Sequence, residues 1–291
     1  MQMLVLFILM GVLLVVGVMW RRVETIRRRQ RRRLRELESV QRALLCHIRA
    51  DRQAQIEREL RARGLTPALP IEFRASQGED LFLWDLFRGQ ERGFFVEVGA
   101  YDGYHYSVSS IFEAVGWTGV LIEALPQRCR KCAERRPNSR VVHAALSRRG
   151  SAGTTKFMVS GADDLKQDTS FIVGGRFQPR AIRKKLGGAS PIEVPVSYMD
   201  QVLGDVAAPV DFAVLDVEGD ELDLLDGFDL DRYAVRVLLI EELTAGANPR
   251  LQREMASRGY ELVVRMGRND VYVCSREEAL VRRAKQLVQL V

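Results

Sequence analysis

Short segments of continuously apolar residues alternate with helix-like segments, and this alternation constrains the fold more than any other feature of the chain. The strand-like segments cover residues 94–98, 119–123, 140–146, 210–216 and 235–241. Helices are predicted between them, including one at residues 106–115, and residues 260–266 and 269–274 are predicted to form a final antiparallel pair. Strands without polar alternation are buried on both faces, as in a parallel sheet covered by helices. The sequence therefore predicts an α/β fold with helices on both faces of the sheet.

Residues 1–20 form an uncharged apolar segment, MQMLVLFILMGVLLVVGVMW. A helix of this length, at about 1.5 Å per residue, spans roughly 30 Å, the hydrocarbon thickness of a bilayer. A cleaved signal peptide is the main alternative, but such peptides carry positive charge before the apolar segment and a small-residue cleavage site after it. Neither feature is found in this segment. We therefore expect residues 1–20 to be a permanent transmembrane anchor.

Residues 21–66 are predicted to form an Arg-rich helical stalk. Residues 21–35 contain nine Arg and one Glu, and positively charged flanks of a membrane span stay on the cytoplasmic side. These arginines would contact anionic lipid headgroups, and a nucleic-acid-binding arm is the alternative. We therefore expect a single-pass membrane protein whose folded domain, residues 67–291, lies in the cytoplasm.

The stalk also carries apolar residues at the spacing of a helix face. They are Leu34, Leu37, Val40, Leu44 and Ile48. Such a stripe is compatible with a parallel coiled coil, although the repeat is short. A single helix that holds the domain away from the membrane is the simpler interpretation, and a homodimer through the stalk is the alternative.

Positive charge is concentrated in the stalk. Residues 21–63 contain 15 Arg and 6 acidic residues, a net charge of 15 − 6 = +9, whereas the whole chain has 44 − 38 = +6. The remainder therefore carries 6 − 9 = −3. Because the folded domain is not basic, we do not expect it to bind nucleic acid. Cys129 and Cys132 form a C-x-x-C without a second pair at zinc spacing, so ordinary thiols are expected rather than a metal site.

The first strand runs into a glycine-containing turn, E-V-G-A-Y-D-G, at residues 97–103. Ligands of parallel α/β sheets bind beyond the carboxyl ends of the strands, and this turn lacks the G-x-G-x-x-G of dinucleotide sites. Glu97 and Asp102 would repel a pyrophosphate and favour a positively charged ligand without phosphate, such as S-adenosylmethionine. Glu123 ends the second strand and is the predicted acceptor for both ribose hydroxyls.

Several segments together resemble the FkbM-type S-adenosylmethionine-dependent methyltransferases. They are GFFVEVGAYDG, GWTGVLIEALP, VHAALS, VPVSYMDQVL, DFAVLDVEGDELDLLDGFDL, VLLIEE, GYELV and RNDVYV, in that order over about residues 76–274. The resemblance implies a Rossmann-like seven-stranded methyltransferase sheet and S-adenosylmethionine as cofactor. It also implies methylation of a hydroxyl oxygen on a saccharide or a natural product, and the predicted membrane anchor adds a lipid-linked glycan to the possible acceptors. Tyr101 departs from the family, in which Asn is frequent at this position.

The resemblance also assigns roles to individual residues. The implied cofactor-binding positions are Glu97, Gly99, Ala100, Asp102, Gly103 and Glu123. The alternatives are that Glu97 caps nearby amides and that Asp102 only stabilises the turn. Asp216 and Glu218 are the implied catalytic pair, and which of them is the base is left open.

Other polar residues of the domain have weaker assignments. A divalent metal held by Asp216, Glu218 and Glu241 is left open, since carboxylates suit magnesium. His105 follows the glycine turn and could act as a base, whereas His143 is expected to be structural. The acids of residues 220–226 are expected to be a solvated helix start favoured by the helix dipole.

Two further hypotheses concern substrate and class of function. The segment 160–191 is rich in Lys and Arg, so it could be a lid or a site for an acidic acceptor, or simply a solvated loop. The chain as a whole is predicted to be a membrane-anchored methyltransferase. The alternative is a catalytically inactive, membrane-tethered scaffold, which is disfavoured because the cofactor-loop residues are all present.

Overall fold

The computed structural model describes residues 2–159, 170–172, 191–206, 209–244, 246 and 249–289, without the side chains of residues 2–18, 34, 38, 159, 170 and 171. The basic segment at residues 160–191 lies almost entirely outside this described part, so its predicted role stays a prediction. The described residues fall into two compact units, Met1–Gln55 and Ile56–Val291.

The first unit belongs to one long helix, α1 (Gln2–Ala62). In its predicted stripe, Leu37 is 66% exposed, Val40 67% and Leu44 59%. Within the described residues, none of the helices has the length and apolar character needed to cross a bilayer. The predicted anchor falls mainly on residues whose side chains are not described, so the anchor also stays a prediction.

The second unit contains helices and strands in alternation. Its helices are α2 (Glu79–Leu86), α3 (Ser110–Ala114), α4 (Pro126–Arg135), α5 (Met199–Leu203), α6 (Glu221–Asp226), α7 (Arg250–Ser257) and α8 (Glu278–Gln289). Its strands are β1 (Phe94–Val98), β2 (Thr118–Glu123), β3 (Arg140–His143), β4 (Ala145–Leu146), β5 (Thr154–Val159), β6 (Ser170–Ile172), β7 (Ile192–Ser197), β8 (Phe212–Leu215), β9 (Val237–Glu241), β10 (Tyr260–Met266) and β11 (Asn269–Cys274).

Seven strands form the central sheet in the order β10-β11-β9-β8-β1-β2-β3. The five strands from β9 to β3 pair in parallel, and β11 and β10 extend the sheet in antiparallel pairs. The predicted α/β fold with a seven-stranded sheet is therefore confirmed. The direction in which strands are added to the sheet reverses at β1, since β2 and β3 lie on one side of it and β8 and β9 on the other. The carboxyl ends of β1, β2, β8 and β9 lie along one edge of the sheet.

The sheet is buried on both faces because its central strands are apolar throughout. On one face, Phe95 and Phe212 stack with ring centroids 5.7 Å apart, and Phe112 lies 4.8 Å from Phe212. On the other face, Val96 and Leu215 belong to a cluster of buried aliphatic side chains. Burial of each such side chain contributes about 1.5–3 kcal/mol to the free energy of unfolding. The central strands therefore fix the position of the carboxyl edge of the sheet.

A second, four-stranded sheet of order β4-β7-β5-β6 was not predicted. The predicted strand at residues 140–146 is split, because β2 ends at Glu123, whose partner in register is His143. Beyond that point β2 offers no further partner, and Ala145 pairs with Val196 of β7 instead. This smaller sheet adds Leu146 and Phe157 to the surroundings of the sheet edge.

The helix predicted at residues 106–115 is also shorter than expected. Tyr106 has φ 61°, which is outside the helical region, and α3 begins only at Ser110. The backbone N–H groups of Val108 and Ser109 donate to Glu97 rather than opening a helix. The segment between β1 and α3 is therefore a folded loop that covers the carboxyl end of β1.

Candidate active site at the carboxyl ends of the strands

A cavity of about 210 Å³ opens at the carboxyl ends of β1, β2 and β8. Six of the predicted site residues line it: Glu97, Gly99, Ala100, Glu123, Asp216 and Glu218. Asp102 and Gly103 belong to the same loop but do not line the cavity, as far as the described residues define it. The topology of the sheet thus brings together residues that are up to 121 positions apart in the sequence.

Gly99 lets β1 and β8 approach each other closely at the floor of this cavity. Its φ is 77°, and a Cβ atom there would lie 2.4 Å from the carbonyl oxygen of Asp216. The backbone N–H groups of Gly99 and Ala100 both donate to the carbonyl of Ile122, at 3.0 and 3.1 Å. Only glycine fits this position, because any Cβ would collide with the backbone of Asp216.

Gly103 faces helix α4 rather than the cavity. Its φ is 73°, and a Cβ atom would lie 2.9 Å from the Sγ of Cys132. Cys129 and Cys132 are both free cysteines on α4, and burial raises the pKa of the Cys132 thiol to about 12. The C-x-x-C therefore packs the glycine turn against the helix as neutral thiols.

Glu123 is placed as a ribose acceptor would be, at the end of β2 and 5% exposed. Its two oxygens accept hydrogen bonds from the backbone N–H groups of Tyr101 at 2.9 Å and Leu125 at 2.8 Å. Burial outweighs these bonds and the nearby charge of Arg128, and it raises the pKa of Glu123 to about 7. Each carboxylate oxygen has a second lone pair, so Glu123 can still accept from a diol.

Glu97 lines the cavity and also caps nearby amides, which is the alternative that the sequence left open. It is 4% exposed and accepts hydrogen bonds from Ser107 Oγ at 3.0 Å, Val108 N at 2.9 Å and Ser109 N at 3.3 Å. Arg136 Nη1 lies 4.0 Å from its carboxylate. Glu97 therefore organises the loop after β1, and its oxygens are largely used by the chain itself.

Asp102 also stabilises its own turn. It accepts hydrogen bonds from the backbone N–H groups of Tyr104 at 3.1 Å and His105 at 2.9 Å, and it is paired with Arg135. Burial raises the pKa of Asp102, but the hydrogen bonds from His105, Tyr104 and Arg135 outweigh burial and leave the pKa below its ordinary value. Asp102 is thus ionised at neutral pH, and residues of the chain already supply its carboxylate with hydrogen-bond donors.

The side chain of His105 is oriented by this carboxylate and lines the cavity. Its Nδ1 lies 2.7 Å from Asp102 Oδ2, and the side chain is 48% exposed. With Nδ1 engaged by Asp102, Nε2 is the nitrogen left for a substrate. His143, in contrast, bonds through Nε2 to the carbonyl of Ala124 at 2.9 Å, in agreement with its predicted structural role.

Three carboxyl groups meet where β8 and β9 end. Asp216 follows β8, Glu218 lies two residues on with φ 56°, and Glu241 is the last residue of β9. One oxygen from each lies within 4.8 Å of the others. Burial raises the pKa of Asp216, and burial together with the charges of Asp216 and Glu218 raises the pKa of Glu241. The pKa of Glu241 reaches about 10, so this carboxyl group holds a proton at neutral pH.

The acids that follow are not the solvated helix start that the sequence suggested. Asp220, Glu221 and Asp223 are 4%, 7% and 9% exposed, and only Asp226 of this set is exposed. Glu221 accepts a hydrogen bond from Gly219 N at 2.9 Å, and burial raises its pKa to about 7. The prediction failed because α6 packs its first turn into the domain, which the charge pattern alone does not reveal.

Sequence reasoning missed the aromatic and cationic residues beside the cavity. The guanidinium of Arg128 lies 4.1 Å from the centre of the Tyr101 ring, and both residues line the cavity. Tyr106 lines it as well and is 67% exposed. The departure at Tyr101 was the available signal, because a bulky residue in a glycine turn has to pack against something.

A family model described as "Methyltransferase FkbM domain" matches residues 97–262, which is more than half of the chain. Among solved structures, the chain is similar to the METTL16 MTase domain, with 10% identity and a TM-score of 0.40 over 71% of this chain and 68% of that one. It is similar to M. capricolum TrmK bound to S-adenosyl-homocysteine, with 5% identity and a TM-score of 0.36 over 66% of each chain.

A third similar structure is a TehB-like SAM-dependent methyltransferase from Corynebacterium glutamicum ATCC 13032. It has 13% identity and a TM-score of 0.35 over 77% of this chain and 97% of that one. No curated protein matches the chain. The site described above therefore stands on its own geometry and on the family match.

Proposed function

The chain belongs to the FkbM methyltransferase domain family, and on that premise we propose that it methylates a hydroxyl oxygen of a saccharide, a lipid-linked glycan or a natural product. S-adenosylmethionine, the cofactor of such enzymes, carries an electrophilic methyl group on a positively charged sulfur. The observation that supports the proposal is the position of Glu123, Gly99 and Asp216 around one cavity at the carboxyl edge of the sheet. Three strand ends supply them, as expected for an α/β ligand site.

Several residues at this cavity could contact the cofactor. Gly99 allows the ends of β1 and β8 to approach each other closely, since a Cβ would collide with the Asp216 carbonyl oxygen at 2.4 Å, and this approach keeps Asp216 at the cavity. Glu123 would accept hydrogen bonds from the ribose hydroxyls, and Arg128 and Tyr101 would line the same side of the cavity. Negative charge from the carboxylates suits a cationic cofactor.

Transfer to oxygen requires a group that removes the proton of the acceptor hydroxyl. Asp216 is the first candidate, because it lies at the cavity and burial raises its pKa toward the range of a useful base. Glu218 is the alternative from the same turn. His105 is a third candidate, since Asp102 holds its Nδ1 and leaves Nε2 to receive the proton.

We also propose that the enzyme works at the cytoplasmic face of a membrane. The support is the uncharged segment of residues 1–20 and the nine Arg of residues 21–35 that follow it. A membrane location would bring the site to a lipid-linked acceptor. The exposed apolar stripe of α1, with Leu37, Val40 and Leu44, would allow two chains to associate through the stalk.

The first test is calorimetric titration of S-adenosylmethionine and S-adenosylhomocysteine into the full-length chain in mild detergent. We expect one site per chain with micromolar affinity, and at least tenfold weaker binding by Glu123→Ala, because one or more charge-assisted hydrogen bonds are lost. A folded wild-type chain that binds neither compound would support the alternative, an inactive membrane-tethered scaffold.

The acceptor class needs a separate test, in which transfer of labelled methyl to soluble sugars, natural-product alcohols and extracted lipid-linked saccharides is compared. We expect base-stable label on a hydroxyl-bearing acceptor and loss of label with Asp216→Asn. Label on nitrogen or on a protein, with cofactor binding intact, would reject O-methylation while leaving the methyltransferase assignment in place.

A further inference from the structure

We propose that Asp216, Glu218 and Glu241 bind a divalent cation, Mg²⁺ or Mn²⁺, beside the cofactor cavity. This inference rests on the proposed function, because it assigns a second ligand to the same edge of the sheet. Carboxylate oxygens are ligands that hard divalent cations prefer.

The position of the three groups is set by the sheet. Strands β8 and β9 are parallel neighbours in which Leu215 pairs with Ile240, so the residues that follow, Asp216 and Glu241, emerge side by side. Glu218 itself has φ 56°, and this turn of the backbone brings its carboxyl group back toward them. Oxygens that share a Mg²⁺ ion are separated by roughly 3–4 Å, since each lies about 2.1 Å from the ion. The observed spread of up to 4.8 Å needs only small side-chain rotations to close.

Glu241 supplies an independent indication of a missing ligand. The residue is 8% exposed, and its Oε2 is buried without a hydrogen-bond donor among the residues that the structure describes. Its Oε1 lies 3.8 Å from Arg268 Nη1, beyond hydrogen-bonding distance, and that arginine side chain is 73% exposed. A buried carboxylate oxygen ordinarily has a donor or a cation, and a cation held between the three carboxyl groups would satisfy this oxygen of Glu241.

The electrostatics of the cluster agree with this geometry. In the cation's absence, burial and mutual repulsion raise the pKa values of Asp216 and Glu241, and the two carboxyl groups share a hydrogen bond. A divalent cation would remove the repulsion and replace that shared proton. Asp220 and Glu221 are buried nearby and would add negative field without being required as ligands.

A cation at this position would change the roles in the reaction. Asp216 and Glu218 line the cavity, so the ion would lie where the acceptor hydroxyl enters and would lower the pKa of that hydroxyl. Asp216 would then serve as a ligand. The proton released when the oxygen–methyl bond forms and the sulfur–methyl bond breaks would pass to His105 Nε2, whose Nδ1 Asp102 already holds at 2.7 Å.

The test uses the metal alone. Mn²⁺ is titrated into the full-length, chelator-treated chain, and free Mn²⁺ is followed by electron paramagnetic resonance, with Mg²⁺ as competitor. We expect one saturable site per chain that Mg²⁺ displaces, and at least tenfold weaker binding by Glu241→Gln and Asp216→Asn. Asp226→Asn is the matched control, since Asp226 is an exposed acid of the neighbouring helix, and it should bind as the wild type does.

Circular dichroism of each variant shows whether it is folded, and Glu241→Gln keeps the shape of the side chain. No saturable Mn²⁺ site in the wild type, or unchanged binding by folded Glu241→Gln, would overturn the proposal. Binding of S-adenosylhomocysteine is measured on the same samples. Cofactor binding without Mn²⁺ binding rejects only the cation, whereas Mn²⁺ binding without cofactor binding rejects the proposed methyl transfer.

Discussion

At the scale of single residues, Glu123 is the group whose protonation should control cofactor binding. Burial raises its pKa to about 7, so near neutral pH it is present in both forms. The ionised form accepts stronger hydrogen bonds from ribose hydroxyls than the neutral form does. We therefore expect affinity for S-adenosylhomocysteine to rise by up to about tenfold between about pH 6 and about pH 8. Calorimetry across this range measures the effect.

The chain offers a matched control for this prediction in Glu221. Burial raises the pKa of Glu221 to about 7 as well, yet its side chain does not line the cofactor cavity. Glu123→Gln should bind more weakly and lose the pH dependence, whereas Glu221→Gln should keep it. Equal pH dependence in wild type and Glu123→Gln would show that another group is responsible.

Glu221 itself leads to a prediction about stability. Its pKa is 4.5 in the unfolded chain and about 7 in the folded chain, so the folded state retains a proton that the unfolded state releases between these values. The free energy of unfolding should therefore fall as pH rises through this range, by up to about 3 kcal/mol from this group. Glu221→Gln should show a smaller loss between about pH 5 and about pH 8 in urea unfolding of the cofactor-free chain. The same loss in both would contradict the assignment.

Residue roles could be predicted from the sequence only where a side chain's partners are close in sequence or fixed by strand order. Glu123 ends a predicted strand, so its place at the edge of the sheet followed directly. The resemblance implied that Glu97 and Asp102 contact the cofactor, and their charge gave no sign that they also accept hydrogen bonds from the N–H groups of residues 104–109. Charge indicates what a group could bind and does not reveal which donors reach it first.

At the scale of elements, the contact between β1 and β8 depends on Gly99. An alanine there would have φ 77° and a Cβ 2.4 Å from the Asp216 carbonyl, so both strands would have to move. Gly150 is the matched control, because its φ is 83° but nothing lies within 4 Å of a Cβ. Gly150→Ala should cost about 1–2 kcal/mol from backbone strain alone.

Gly99→Ala should cost at least about 2 kcal/mol more than Gly150→Ala, because it adds a collision with backbone to the same strain. Urea unfolding measures both free energies, and S-adenosylhomocysteine binding should be lost only in Gly99→Ala. Equal costs for the two variants would mean that the loop relaxes freely and that the close approach is not needed.

The strands of the central sheet could be predicted because each is a continuous apolar segment, whereas three other features could not. The β4–β7 pairing joins Ala145 to Val196 across many residues and involves only short strands. The late start of α3, at Ser110, depends on where Glu97 points. The buried acids of α6 depend on how that helix packs. Each is a tertiary contact that overrides the local pattern.

The apolar stripe of α1 gives a prediction about association. Leu44 is 59% exposed and lies in line with Leu37 and Val40, so a second copy of the helix could cover all three. If two chains associate through this stripe, the alternative to a single helix, the full-length chain in detergent sediments as a dimer and Leu44→Asp sediments as a monomer. Ala43→Asp places the same charge about 100° around the helix and should remain a dimer. A monomeric wild type would leave the stalk as a single helix.

At the scale of the whole molecule, charge and apolar sequence are separated along the chain. Residues 21–63 carry +9 and the rest of the chain −3, while residues 1–20 carry none. Electrostatic attraction to anionic lipids weakens as salt is added, because the screening length falls to about 3 Å at 1 M. Apolar insertion into the bilayer does not weaken in this way. Salt therefore separates the contribution of the arginines from that of the proposed anchor.

We expect the full-length chain to stay with membranes during washes at high salt and at alkaline pH. A chain lacking residues 1–20 should bind anionic vesicles at low salt, leave them at high salt, and ignore neutral vesicles throughout, since only the arginines remain. Both chains should bind S-adenosylhomocysteine equally, because the cavity is lined by residues 75–269. Release of the full-length chain by salt alone would show that residues 1–20 do not insert, and the arginines would then be the only membrane contact.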